Sequence, residues 1–169
     1  SPPITTDTRM GDTWLIGSPL GGLGVSRRPG RRRLMIAEGT GIAPLRAQLL
    51  DMPRLDDTPR THVFVGGTYP CDLYDLDILW GLSRTCPWLT VVPVIENSDN
   101  PWWVSGNTQN PAGMHDLLTG QLGRVVATYG DWTDHDIQVV GPPSMVRATK
   151  YQLMAAGVDS ADICHDPLY

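Results

Sequence analysis

No apolar run in the chain approaches the roughly 18 residues that a membrane-spanning helix requires, so no membrane partner is expected. The opening stretch, SPPITTDTRMGD, carries no signal-peptide pattern. Cysteine is scarce. Cys71, Cys86 and Cys164 are odd in number and lack metal-ligand spacing. That predicts free thiols in a cytoplasmic protein, with no metal site. Positive charge is not in excess: 13 Lys and Arg against 18 Asp and Glu leave a formal net charge of −5, which argues against nucleic acid as a partner. Several catalytic signatures are missing as well. There is no GxSxG elbow and no Cys-x5-Arg loop, which removes the usual α/β hydrolases and one class of phosphatase. Neither GxGxxG nor the Lys-Ser/Thr of a P-loop is present, so the two commonest phosphate loops are absent.

What is present is an ordinary globular composition. The 169 residues are enough for a domain with a sizeable core, 41% are hydrophobic and 18% charged. Fifteen prolines and 18 glycines imply many short connections. From Arg33 onward strands and helices alternate. Strands are expected near 33–37, 61–67, 89–95, 136–140 and 161–165. Helices are expected near 42–52 and 72–84, a short helical pair near 113–129, and a helix from Pro142-Pro143 to about Ala156. The long polar stretch ENSDNPWWVSGNTQNPAG has no periodicity. Alternating βα units with right-handed crossovers predict an α/β fold: a doubly wound, five-stranded parallel sheet in three layers, Rossmann-like in outline.

The richest segment is MIAEGTGIAPLRAQLLDM, from Met35 to Met52. A buried strand ends in Gly39-Thr40-Gly41 and passes into a helical pattern bearing Leu45, Leu49 and Leu50. Unpaired amides of a first helical turn, together with the helix dipole, favour an anion. Glycine lets a phosphate approach the backbone. Thr40 is a candidate helix cap, and Pro44 suits the first turn. In open α/β sheets ligands bind beyond the carboxyl ends of the strands. Those ends read Gly39 to Pro44, then Gly66-Gly67-Thr68, then Glu96, then Gly141-Pro142-Pro143-Ser144-Met145. Two glycine-to-helix junctions on one edge can hold an extended diphosphate ligand.

Other features admit two readings. Arg27, Arg28, Arg31, Arg32 and Arg33 form either a solvated linker or a docking surface for an acidic partner or cofactor phosphates. Trp102-Trp103 are either loop anchors or an adenine-stacking pair. Tyr69 is a further adenine-stacking candidate, and Asp72 a candidate helix cap. His115, His135 and His165 each precede an aspartate, but they fall at strand edges and a helix start, which disfavours metal-dependent phosphohydrolase chemistry.

These motifs carry a resemblance. GSPLGGL at 17–23, GTGIAP at 39–44, VGGTYPCDLYDL at 65–76, Gly113-Met114-His115-Asp116 and VVGPPSMVRAT at 139–149 resemble, in order and spacing, the pyridine-nucleotide half of the ferredoxin–NADP reductase superfamily. YGDW at 129–132 and HDPL at 165–168 look most like flavohaemoglobin-type and oxygenase-coupled reductases. The resemblance implies that residues 1–32 are the end of a flavin-binding barrel plus a linker, and 33–169 the NAD(P)-binding domain. It implies cofactor contacts from Gly39, Thr40, Gly41, Ile42, Ala43, Pro44, Gly66, Gly67, Thr68, Tyr69, Glu96, Gly141, Pro142, Pro143, Ser144 and Met145. It also implies hydride transfer from NAD(P)H to FAD on a partner barrel domain, then electron transfer to haem, iron–sulfur or oxygen. The other reading is a nucleotide-binding or interaction module that kept the fold without turnover. Four departures stand out. The barrel with its Arg-x-Tyr-Ser motif is missing. Val140 replaces the cysteine before GPP. Thr68 stands where relatives often carry arginine and Glu96 ends strand 3, which favours NAD(H) over NADP(H). Asp166 stands for the C-terminal glutamate assigned a catalytic role, with Leu168 or Tyr169 for the flavin-stacking ring.

Overall fold

The computed structural model describes residues 9–13, 15, 18, 23, 30–52, 58–98 and 112–166. Its strands are β1 (Arg32–Glu38), β2 (Thr61–Gly67), β3 (Leu89–Ile95), β4 (Leu118–Thr119), β5 (His135–Val140) and β6 (Ile163–His165). Its helices are α1 (Ile42–Asp51), α2 (Leu76–Thr85), α3 (Leu122–Tyr129) and α4 (Pro143–Ala155). All strands run parallel in the order β4-β3-β2-β1-β5-β6. The strands read as near-continuous apolar runs because helices cover both faces. In β1, Arg33 through Ala37 are all buried.

Strand alternation divides the core in two. Met35, Ala37, Val63, Val65, Val91 and Ile95 face α1 and α2, where they meet Ile42, Leu45, Leu49 and Leu79. Leu34, Ile36, Phe64, Val92, Val94 and Val139 face α3 and α4, where they meet Leu122, Val126, Val146 and Leu153. On that second face, helices α3 and α4 touch: a Cβ on Gly123 would lie 2.9 Å from the Thr149 Cα. Trp132 is buried beneath α3, and its Nε1 donates to the Val126 carbonyl at 2.7 Å. That carbonyl lies in the last helical turn, where no intrahelical donor is available.

The sheet has six strands rather than the five expected. The extra one, β4, spans only two residues, too short to show a period. It lies inside 113–129, where a helical pair was expected. Gly113-Met114 starts no helix. Met114 forms a parallel bridge to Val91, and a Cβ on Gly113 would lie 2.7 Å from the Leu89 carbonyl oxygen. The helix expected at 72–84 starts later, at Leu76. Asp72 instead closes a 3-10 turn over Pro70–Asp72, its carboxylate accepting from the Tyr69 N–H at 2.9 Å. The residue before α2, Asp75, takes a left-handed conformation with φ 58.

The amino edge of the sheet is aromatic. His62, Trp132 and His135 pack edge to face, with centroids 5.3 Å apart for His62–Trp132 and 4.9 Å for Trp132–His135. His135 is 3% exposed, and neither ring nitrogen has a hydrogen-bond partner. Burial, then His62, then Arg32 push its pKa down to about 4, with a smaller lowering from Arg31 and an opposing pull from Asp134. The ring is therefore neutral in the fold, while the unfolded imidazole titrates at 6.5. Unfolding takes up a proton between those values, so this stability is complete above about pH 6.5 and is lost as pH falls toward 4. From pH 7 to pH 5 the loss is on the order of 2 kcal/mol, or roughly 4–8 °C in Tm. Thermal melts of parent and His135→Phe at both pH values check it. The variant should lose less Tm on acidification; equal losses would contradict the assignment.

Candidate nucleotide site

The site begins where the sheet reverses its winding. Strands β1 and β5 are neighbours, with Ala37 opposite Val140, yet the chain leaves β1 toward one face and β5 toward the other. The two exits touch. A Cβ on Gly41 would collide with the Val140 carbonyl oxygen, and one on Gly141 would collide with the Met145 methyl and lie 3.3 Å from the Glu38 Cβ. Gly39 has φ 57, a left-handed conformation suited to glycine. Three helices start at this edge, α1 after Gly41, α3 after Gln121 and α4 after Pro142, and none has a side-chain cap. The Ile42 N–H is taken by the Gly39 and Thr40 carbonyls and Pro44 and Pro143 carry no N–H, so a ligand can be met only by the other first-turn amides.

Thr40 therefore does not cap α1. The residue before the helix is Gly41, and the Thr40 side chain is exposed. Ile42 is buried in the core at 1% exposure, and its N–H is bonded to the Gly39 and Thr40 carbonyls. Ala43 is exposed and Pro44 half-buried in the first turn of α1. Gly66 and Gly67 are themselves buried; a Cβ on Gly66 would lie 2.6 Å from a Leu122 methyl, and one on Gly67 2.9 Å from the Asp72 Cβ. Their small size serves helix packing and the following turn. Thr68 and Tyr69 lie beyond the end of β2 and are exposed. The Glu96 N–H donates to the Gly67 carbonyl at 3.1 Å, which continues the β2–β3 ladder to the sheet edge.

The remaining candidates divide between two clefts flanking the start of α4. One, of about 290 Å³, is lined by Glu38, Glu96, Gln121, Arg124, Ser144 and Met145, among others. Met145 also packs into the core and receives the Thr149 hydroxyl at 3.3 Å. The other, of about 430 Å³, brings Gly141 and Pro143 together with Lys150, His165 and Asp166. Pro142 lies between them and is exposed. Glu38, Gln121 and Arg124 carry no sequence motif. Glu38 could have been found by strand parity, because it continues the Leu34, Ile36 row by two residues.

Two alternative features fall elsewhere. Arg31, Arg32 and Arg33 lie at the amino end of β1, about 20 Å along the strand from Glu38, so they do not meet a ligand at the carboxyl edge. Arg31 instead forms a two-pronged pair with Asp162, at 2.8 and 3.1 Å, tying β1 to the turn before β6. Arg27, Arg28, Trp102, Trp103, Leu168 and Tyr169 lie outside the described residues. Among the described residues no three His, Cys, Asp or Glu side chains are grouped to hold a metal. No helix among them is long and apolar enough to cross a membrane. Cys71, Cys86 and Cys164 are free thiols.

The chain belongs to the oxidoreductase NAD-binding domain family, whose model matches residues 35–151. It is 24% identical over 163 residues to the toluate 1,2-dioxygenase electron transfer component of Pseudomonas putida, covering 96% of this chain and 44% of that one. It is 27% identical over 158 residues to the propane 2-monooxygenase reductase component of Rhodococcus jostii (strain RHA1), covering 93% and 40%. The fold matches ferredoxin reductase in carbazole 1,9a-dioxygenase with TM-score 0.60 at 24% identity, covering 85% of this chain and 40% of that chain. It also matches a flavohemoglobin from Malassezia yamatoensis with TM-score 0.64 at 15% identity, covering 83% and 32%. The chain spans less than half the length of these relatives. The resemblance to flavohaemoglobin-type and oxygenase-coupled reductases agrees with these matches.

The contact between the two exits can be tested directly. Gly41→Ala places a methyl on the Val140 carbonyl, which a backbone shift must relieve. The expected cost is about 1–3 kcal/mol in urea denaturation. A variant as stable as the parent would show that the two turns are not in contact.

Proposed function

We propose that this domain binds a nicotinamide dinucleotide across the carboxyl edge of its sheet and presents it to a flavin on an adjoining domain. Bound there, the dinucleotide would supply a hydride to the flavin, FAD, of that domain, which would release the electrons toward haem, iron–sulfur or oxygen, while this chain's residues would hold and orient the donor. The observation that supports this best is the contact of Gly41 with Val140. It brings two glycine turns and the open starts of α1 and α4 to one point of the edge. The backbone of Gly39, Thr40 and Gly41 would receive the diphosphate. Gly141, Pro142 and Pro143 would lie beside the nicotinamide, and Asp166, which lines a cleft with Gly141, would face the flavin partner. Hydride transfer needs close approach and orientation more than proton chemistry, so these residues act by shape.

In this reading residues 1–32 are the end of a flavin-binding barrel plus linker, residues 33–169 are the nucleotide domain, and the parent protein works in the cytoplasm. Exposed Thr68 and Glu96 at the ends of β2 and β3 offer no cation to a 2′-phosphate, which favours NAD(H) over NADP(H). A second reading is a module that binds nucleotide without turnover. Val140 supports it: the side chain is buried at 2% exposure and offers the nicotinamide no thiol.

Calorimetric titration with NAD+, NADP+ and ADP-ribose at moderate salt tests the cofactor reading. Saturable binding of NAD+ and ADP-ribose is expected, with NADP+ weaker by roughly tenfold, about 1.4 kcal/mol. Tighter NADP+ binding would reverse the preference, and no binding at millimolar concentration would sink the reading for this chain. Fusion to a flavin-binding barrel then separates the two functions: NADH-driven flavin bleaching supports the reductase, and binding without bleaching supports the silent module.

A further inference from the structure

Glu38 ends β1 on the α3/α4 side of the sheet, in the row of Leu34 and Ile36. Glu96 lies just past β3 on the same side, two residues beyond Val94. The strand between them, β2, carries Gly66 opposite both Glu38 and Val94, and the Leu122 side chain packs over that glycine. Both carboxylates line the same 290 Å³ cleft, together with Gln121, Arg124 and Gln152. Their strands are about 10 Å apart across the sheet. Glu38 is half-buried and Glu96 exposed. Burial, and then the charge of Glu96, hold the Glu38 carboxyl above its ordinary range.

A carboxylate accepts hydrogen bonds and cannot donate them when ionised. A pair of them, with the side-chain amides of Gln121 and Gln152 in the same cleft, suits a ligand rich in hydroxyl donors, and its two negative charges outnumber the one cation, Arg124, that an added phosphate would meet there. Resting on the nucleotide reading above, we propose that Glu38 is a specificity-determining residue. With Glu96 it forms a pair of acids in the cleft on either side of Leu122 that accepts from ribose hydroxyls and rejects a phosphorylated ribose. Glu38 is the stronger of the two, because a half-buried charge is screened less by solvent and salt than an exposed one. The carboxylate thus comes from the end of the first strand, immediately before the glycine turn, and Glu96 supplements it.

The test is calorimetric titration of this 169-residue chain with NAD+ and NADP+, comparing the parent with Glu38→Gln, Glu38→Asp and Glu96→Gln. Thermal melts verify that each variant is folded. For Glu38→Gln, the NAD+ Kd should rise about fivefold and the ratio of NADP+ to NAD+ Kd should fall at least threefold, since one acceptor and one repelling charge are lost. Glu38→Asp keeps the charge and shortens the reach, so NAD+ should weaken while the ratio holds. Glu96→Gln should narrow the ratio less than Glu38→Gln. Unchanged Kd values in Glu38→Gln, or selection lost only in Glu96→Gln, would overturn the role of Glu38 and leave the nucleotide reading intact. A parent that binds neither dinucleotide would remove both.

Discussion

Gly41 lies against the Val140 carbonyl, and the carboxyl edge is organised around that contact. It occurs where parallel strands β1 and β5 run side by side and then send their chains to opposite faces. Any side chain at residue 41 would wedge the two turns apart. With glycine there, α1 and α4 begin within reach of one another on either side of the sheet. The glycine at 141 does the same on a smaller scale, leaving room for the Met145 methyl and the stem of Glu38. Interiors packed this tightly shift as units, so the position of one turn fixes the other.

The same contact depends on a sheet whose two faces are packed independently. Odd-numbered β1 residues belong to the α1/α2 core and even-numbered ones to the α3/α4 core. The amino edge then closes with rings, His62, Trp132 and His135, and the Arg31–Asp162 pair fastens the outermost strand. Polar chemistry is thereby concentrated at the opposite edge, where the helices begin. The separation explains why Arg31, Arg32 and Arg33 do not meet a ligand at the carboxyl edge. A seven-residue strand places them a sheet's height away.

Most of this architecture was legible in the chain, for a physical reason. Strands β2 and β3 match their expected bounds, and β1 and β5 come within a residue at each end, because buried parallel strands are unbroken apolar runs. The glycine turns were legible because a close approach at an edge demands glycine. What was not legible depended on contacts between distant parts. The two-residue β4 exists only because β3 offers it an open edge, so it leaves no period to read. Thr40 was a plausible cap by residue type, yet the 3-10 turn Gly39–Gly41 moves the helix start past it. Asp72 was likewise diverted to a shorter turn. Gly66 and Gly67 were expected among the cofactor contacts, and the close packing of Leu122 and Asp72 against them, which also requires glycine, could be seen only in the fold. Glu38 escaped because an acid at a strand end looks solvated until Gly66 is seen beside it.

The electrostatic layout of the edge follows from these placements. Three uncapped helix starts favour an anion, and Arg124 adds a positive side chain to the cleft. Glu38 and Glu96 oppose that preference on the α3/α4 face. A ligand with a single anionic end would meet conflicting fields there. A ligand that carries its charge in the middle and hydroxyl groups on either side resolves the conflict, because its anion lies over the amides while its hydroxyls donate to the carboxylates. A dinucleotide with unphosphorylated riboses has that order of groups, and a 2′-phosphate would put charge where the carboxylates already lie. In the proposed reading, affinity and selectivity come from different elements of the edge: the backbone at the helix starts attracts, and the acids at the strand ends discriminate.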